Sequence, residues 1–202
     1  DNVTFDDSSV DRNVALQVPI VAGTVSFTNT AGNNYVLSGS SLSGSTLLKT
    51  GSGKVSISNA VTVSSATVNG GTFQLGDGTN ATGTISSAIT NNAALALNFG
   101  ANDVTVPNAI SGSGSFTQTG TGRTTLGGTN SYTGATTINA GVLNVTALAN
   151  GGSSSNIGAA SNAAENLVIN GGTLEYSGAA NVSTDRLFSV GIGSAVINVE
   201  TE

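Results

Sequence analysis

Apolar and polar residues alternate along the chain in short runs, and clusters of Gly and Asn separate the runs. A period of two marks a strand buried on one face. The clearest unit reads apolar, Asn, Gly or Ala, Gly, any residue, apolar, any residue, apolar. It occurs as Val68-Asn69-Gly70-Gly71-Thr72-Phe73-Gln74-Leu75, as Ile138 to Val145 and as Ile169 to Tyr176. A fourth copy, Ile20 to Phe27, has Val21 where the others have Asn. Each copy predicts a turn followed by a strand, because Asn-Gly and Gly-Gly tolerate positive φ. Asn69, Asn139 and Asn170 are expected at these positive-φ corners, with their amides bonded to their own backbone. No stretch carries a capped 3.6-residue apolar period, and β-branched residues dominate the apolar positions, so the pattern predicts strands throughout.

The second glycines of the four copies lie at 23, 71, 141 and 172. A rung of roughly 23 residues, as repeat solenoids use, divides these intervals and locates weaker copies at 45, 93, 114 and 193. Eight anchors predict about eight coils of an all-β, right-handed parallel β-helix (β-solenoid). Val25, Phe27, Phe73, Leu75, Leu95, Leu97, Phe116, Leu143, Val145, Leu174 and Tyr176 should then point into one core. Leu47 and the run Ala195, Ile197, Val199 take the same side, and the six Phe residues are counted inward. Outward Thr, Ser, Asn and Gln would bond to their copies above and below. Gly/Ser-rich Ala149 to Asn156 is a loop budding from one corner. A second repeat, Thr50-Gly51-Ser52-Gly53-Lys54, returns as Thr119-Gly120-Thr121-Gly122-Arg123. Both lack the helix and the Gly-Lys-Ser/Thr of a phosphate loop, and are turns.

Composition changes the picture by exclusion. Gly, Thr, Ser and Asn make up about half of the 202 residues, and charged residues are 8%. At 38% hydrophobic content the chain still has enough apolar surface for a core. Cys and His are absent, which removes disulfides, thiol nucleophiles, imidazole bases and every His or Cys metal site. The net charge is -6, and Arg12, Lys49, Lys54, Arg123 and Arg186 are dispersed, so no basic stripe meets phosphates. Nucleic acid is not an expected partner. No apolar run approaches the roughly 20 residues that cross a bilayer, so membrane insertion by this segment is not expected either. The texture is uniform, which predicts one solenoid segment over 1–202, with 1–16 as a charged cap or entry strand. Asp1 without a Met or signal core suggests a processed piece of a larger protein.

Ile110 to Val145, from Ser111-Gly112-Ser113-Gly114-Ser115-Phe116 through Tyr132-Thr133-Gly134 to Asn139-Ala140-Gly141, resembles the autotransporter-associated β-strand repeat, a passenger-associated repeat family. Degenerate copies around Lys49 and Gly171 extend the likeness. The resemblance implies a right-handed parallel β-helix in the passenger of a secreted or outer-membrane-anchored bacterial protein. The aromatic-girdled membrane barrel of such a protein is expected outside this piece, since the residues from Gly193 to Glu202 do not carry it.

Candidate chemistry is sparse. Asp1, Asp6, Asp7 and Asp11 are the densest charge, but their spacing fits neither an EF-hand nor a calcium-binding nonapeptide, and a solvated end that discourages strand addition fits better. Asp77, Asp103, Glu175 and Asp185 would have to pair on one face to act as glycosidase carboxyls. Tyr35, Tyr132 and Tyr176 could stack on sugars, although the pattern puts Tyr176 inward. Thr4, Thr24, Thr72, Thr137 and Thr173 do not form the uniform two-Thr pattern of an ice-binding face. No catalytic, cofactor-binding or metal-binding residue is assigned, and no cofactor or enzymatic activity is expected. The expected role is a non-catalytic structural module outside the cell, as a stalk, an adhesive passenger or a filament segment. The alternative is a module that binds glycan or host protein, with a polysaccharide-degrading β-helix enzyme behind it. End-to-end self-association is the other expected contact, because Ala195 to Val199 looks uncapped before Glu200 and Glu202.

Overall fold

The computed structural model describes residues 1–200, and in it the chain is a parallel β-solenoid with three sheets along its length. Glu202 lies outside the described residues. The first sheet stacks Val3–Phe5, Thr24–Phe27, Leu42–Lys49, Ala60–Val68, Ile89–Asn91 and Ile110–Ser111. The second is nine strands deep, from Asn13–Leu16 to Ser189–Val190, one more than the eight anchors predict. The third runs from Val104–Val106 through Arg123–Leu126, Val142–Val145 and Thr173–Tyr176 to Val196–Val199. From Ile89 to Leu126 the chain visits the first, second and third sheets in turn, and beyond Leu126 it alternates between the second and third, so each circuit lays one coil on the last. At about 4.8 Å per strand, nine strands give a body on the order of 40 Å long.

Inward residues form rows that continue from coil to coil. Val25, Leu47, Ala66, Ile89 and Ile110 are register partners in the first sheet, and all are buried. Val55, Phe73, Leu95 and Phe116 do the same in the second. Of the eleven side chains expected inside, Tyr176 is partly buried and the rest are buried. Phe188 departs from the expectation, because it is 45% exposed on the last coil. Ile197 and Val199 also occupy inward register positions, opposite Leu174 and Tyr176, yet stand 52% and 60% exposed with no described coil over them.

The anchors fall on three faces rather than one. That at 23 precedes a first-sheet strand and that at 45 lies within one, those at 71, 93 and 114 precede second-sheet strands, and those at 141, 172 and 193 third-sheet strands. Thr72 does lie one coil from Ala94. Leu47, however, is followed by Ala66 and Phe116 by Thr136. The step from Val55 to Phe73 is only 18 residues, so a uniform rung of 23 passes over the coils of Val55 and Thr136.

The two sequence repeats turn out to be two layers of one corner. Gly71 lies on the Gly51-Ser52-Gly53 turn, and Gly141 on the Gly120-Thr121-Gly122 turn. Both have positive φ, and a Cβ on either would run into a carbonyl oxygen of the turn below. The Asn residues do not carry that conformation: among the described residues every positive-φ position is a Gly. Instead the Asn amides bond across coils, Asn92 Nδ2 to Asn69 Oδ1 at 2.9 Å and Asn170 Nδ2 to Asn139 Oδ1 at 3.2 Å. The interior of the corner is served by a long polar side chain just before each Thr-Gly-x-Gly. Buried Lys49 donates to the carbonyls of Gly51 and Gly70, and buried Gln118 donates to that of Gly120 at 2.9 Å.

Candidate functional site

The densest polar cluster lies on the third sheet. Its alternation sends Leu143, Val145 and Leu174 inward and sets Thr125, Asn144, Glu175 and Asn198 in one cross-strand row. Arg123 Nη2 lies 2.6 Å from Glu175 Oε1 and 3.2 Å from Glu200 Oε2. Asn144 and Asn198 each donate an amide to Glu175 at 3.0 Å. Burial pushes the Glu175 carboxyl upward, but donation from Asn198 and Arg123, the Arg123 charge and donation from Asn144 outweigh it and hold the pKa below the usual range. Such a carboxylate stays ionised with its oxygens engaged. It is poorly suited to act as a general acid, and it presents no free oxygen pair to a metal.

The other three carboxylates considered as glycosidase groups hold separate turns. Asp77 accepts from the Thr79 amide and hydroxyl, Asp103 from the Arg123 amide, and Asp185 from the Gly151 amide. The structure does not gather the four around one cleft. At the amino-terminal end, Asp6 accepts from the Ser8 hydroxyl and amide, Asp7 from those of Thr30, and Asp11 from the Asn13 amide. These hydrogen bonds lower the Asp6 and Asp7 pKa values. Among the described residues no group of three or more acidic side chains could hold a metal ion. Asp1 contributes through its backbone carbonyl, which accepts from Gly23.

The tyrosines are packing elements. Tyr35 is buried, edge-on to Phe5, and donates to the Asp6 carbonyl at 2.7 Å. Tyr132 is fully buried beside Phe116, and burial raises its pKa. Tyr176 donates to the Ala180 carbonyl at 2.6 Å and lines a cleft of about 690 Å³ with Gly178, Asn181 and Glu200. The five Thr residues divide among the three sheets, Thr4 and Thr24 on the first, Thr72 and Thr137 on the second and Thr173 on the third.

Three interior or bridging groups were not anticipated. Lys49 reads from the sequence as a dispersed surface cation but is fully buried; the long polar residue before both Thr-Gly-x-Gly segments was the available signal. Arg123 crosses coils to partners 52 and 77 residues away, and no local pattern announces that. Arg186 is 8% exposed and bonded to backbone carbonyls. No helix among the described residues is long and apolar enough to cross a membrane.

The stacked corner of Gly122 and Gly141, with a strand on either side, also carries the likeness to known proteins. Residues 116–145 match the passenger-associated-transport-repeat. The matched repeat starts at Phe116 in the second sheet and includes the Thr119-Gly120-Thr121-Gly122 turn. It ends on Val142–Val145, the strand that turn supports one coil later. One passenger-associated-transport-repeat therefore contains both layers of a corner. Over 102 residues, half of the chain, the sequence is 48% identical to a protein described as an Adhesin BmaC autotransporter from Brucella suis biovar 1 (strain 1330). The chain spans 3% of that relative's length. No solved structure matches.

Proposed function

We propose that the chain is a non-catalytic structural segment of a secreted, cell-surface bacterial protein, serving in an adhesive passenger, a stalk or an extracellular filament. The observation that carries this reading is the use to which its strongest polar groups are put. Lys49, Arg123, Glu175 and Arg186 all hold strands or loops of neighbouring coils together. What the sheets turn outward is mainly hydroxyl and amide, a surface that can be repeated along a fibre without accumulating charge. The likeness to part of an autotransporter adhesin supports a place outside the cell.

Direct binding of a surface glycan or host protein is the second reading, and the name of that relative favours it. Beads coated with the folded 202-residue chain separate the two. Adherence to host cells or immobilised glycans supports a binding module, and its absence with the fold intact leaves the stalk or filament. Release of reducing ends from a polysaccharide panel would overturn the non-catalytic reading altogether.

A further inference from the structure

Thr136 pairs with Leu167 and Val142 with Thr173, each a step of 31 residues, and the surplus forms the loop 147–162 between the strands Val142–Val145 and Leu167–Ile169. Its base is fixed by the preceding coil: Asn130 Nδ2 donates to the Asn156 carbonyl at 2.6 Å, and Asn156 Nδ2 to that of Gly128 at 2.8 Å. Its outer part is fixed from the other side by a tetrapeptide of the following coil, Thr184 to Leu187. Arg186 donates to four carbonyls of the loop, Ala149 at 3.0 Å, Ala160 at 3.1 Å, Ser153 at 3.1 Å and Gly158 at 2.9 Å. Asp185 accepts from the Gly151 amide at 2.8 Å, Thr184 Oγ1 donates to Ala149, and the Leu187 amide donates to the Asn162 carbonyl.

We infer that Thr184 to Leu187 is a latch, and that the loop 147–162 takes its fixed shape only when the coil carrying Arg186 has docked. The chemistry supports one donor for the task. Four inward-turned carbonyls are costly to bury without partners, and a guanidinium offers five N–H groups in a planar fork, whereas an ammonium offers three from a single point. Asp185 works in the opposite sense on the same loop, accepting amide protons while its neighbour supplies them. Because the latch lies later in the chain than the loop, the state of the loop reports whether the next coil is in place.

Hydrogen exchange on the full 202-residue chain tests this with R186Q and R186K. The amides of Gly151, Gly152 and Ser153, each bonded within the loop or to the latch, should exchange at least ten-fold faster in R186Q, with a smaller acceleration in R186K. Those of Val55–Ile57 and Phe73–Leu75, several coils away, should keep their rates. If R186Q does not fold, R186K alone decides. Wild-type loop rates in the folded variant, or a uniform acceleration of loop and distant strands, would overturn the latch.

Discussion

Lys49 occupies an inward position that Phe27 and Val68 fill in the adjacent coils. Its ammonium has two carbonyl partners and, among the described residues, no carboxylate, and burial lowers its pKa from 10.5 to about 8. An unfolded chain therefore holds a proton that the folded chain releases between those values. Stability should rise as pH climbs from about 8 to 10.5, with the destabilising effect fully present below 8. Gln118 does the corresponding task as a neutral amide, so K49Q should fold, stay within about 1–2 kcal/mol of wild type at pH 7 and lose this rise. Thermal melts from pH 7 to 10.5 check both points. The glycines of the corner should be far less replaceable. G71A adds a Cβ to a positive-φ residue pressed on the Gly53 carbonyl, whereas G32A adds one at positive φ with open space around it. Denaturant titration should find a cost of about 1 kcal/mol for G32A and about 2–4 kcal/mol for G71A, since only the second combines backbone strain with a clash.

At the scale of strands and corners, the third-sheet row is one source of expected acid sensitivity. Glu175 has a depressed pKa, so its share of stability is present above its ordinary value near 4.5 and is lost as pH falls through the folded value. E175Q should melt lower than wild type at pH 6 and converge with it toward pH 3, as read by melting temperature against pH. How far such elements were legible depended on the range of the interaction. The strands around Phe73, Leu143 and Leu174 followed from alternation, and their corners from Asn and Gly, because both signals are local. Their assignment to faces did not follow, since corners absorb different numbers of residues and a coil can close in 18 or 31. The Asn conformation was misread for a related reason. The residue type suits positive φ, but the stacked Asn on the next coil provides a cross-coil partner that a single corner does not display. Arg123, Glu175 and Arg186 find partners only after winding, so their roles were invisible before the register was known.

For the whole molecule, the two ends differ. At the amino-terminal end Val3, Phe5, Val14 and Leu16 are partly buried against the core, with Phe5 stacked on Phe27 at 4.8 Å. Among the described residues of the other end, Phe188, Val190, Ile197 and Val199 remain open to solvent, and Val196–Val199 is an edge strand with Thr173–Tyr176 as its paired neighbour. Edge strands with apolar rows recruit other strands. The isolated chain should accordingly associate through this end at high concentration, a contact that would add a strand to the third sheet. The Asp-rich first coil disfavours approach of the Glu200 end by like charge, so divalent ions should strengthen any head-to-tail contact. Substituting I197K places a cation in the apolar row and should keep the chain monomeric without unfolding it, because Ile197 is already half exposed. Sedimentation with and without divalent ions decides the matter: wild type that stays monomeric in both would refute the association, and association that survives I197K would locate the contact elsewhere.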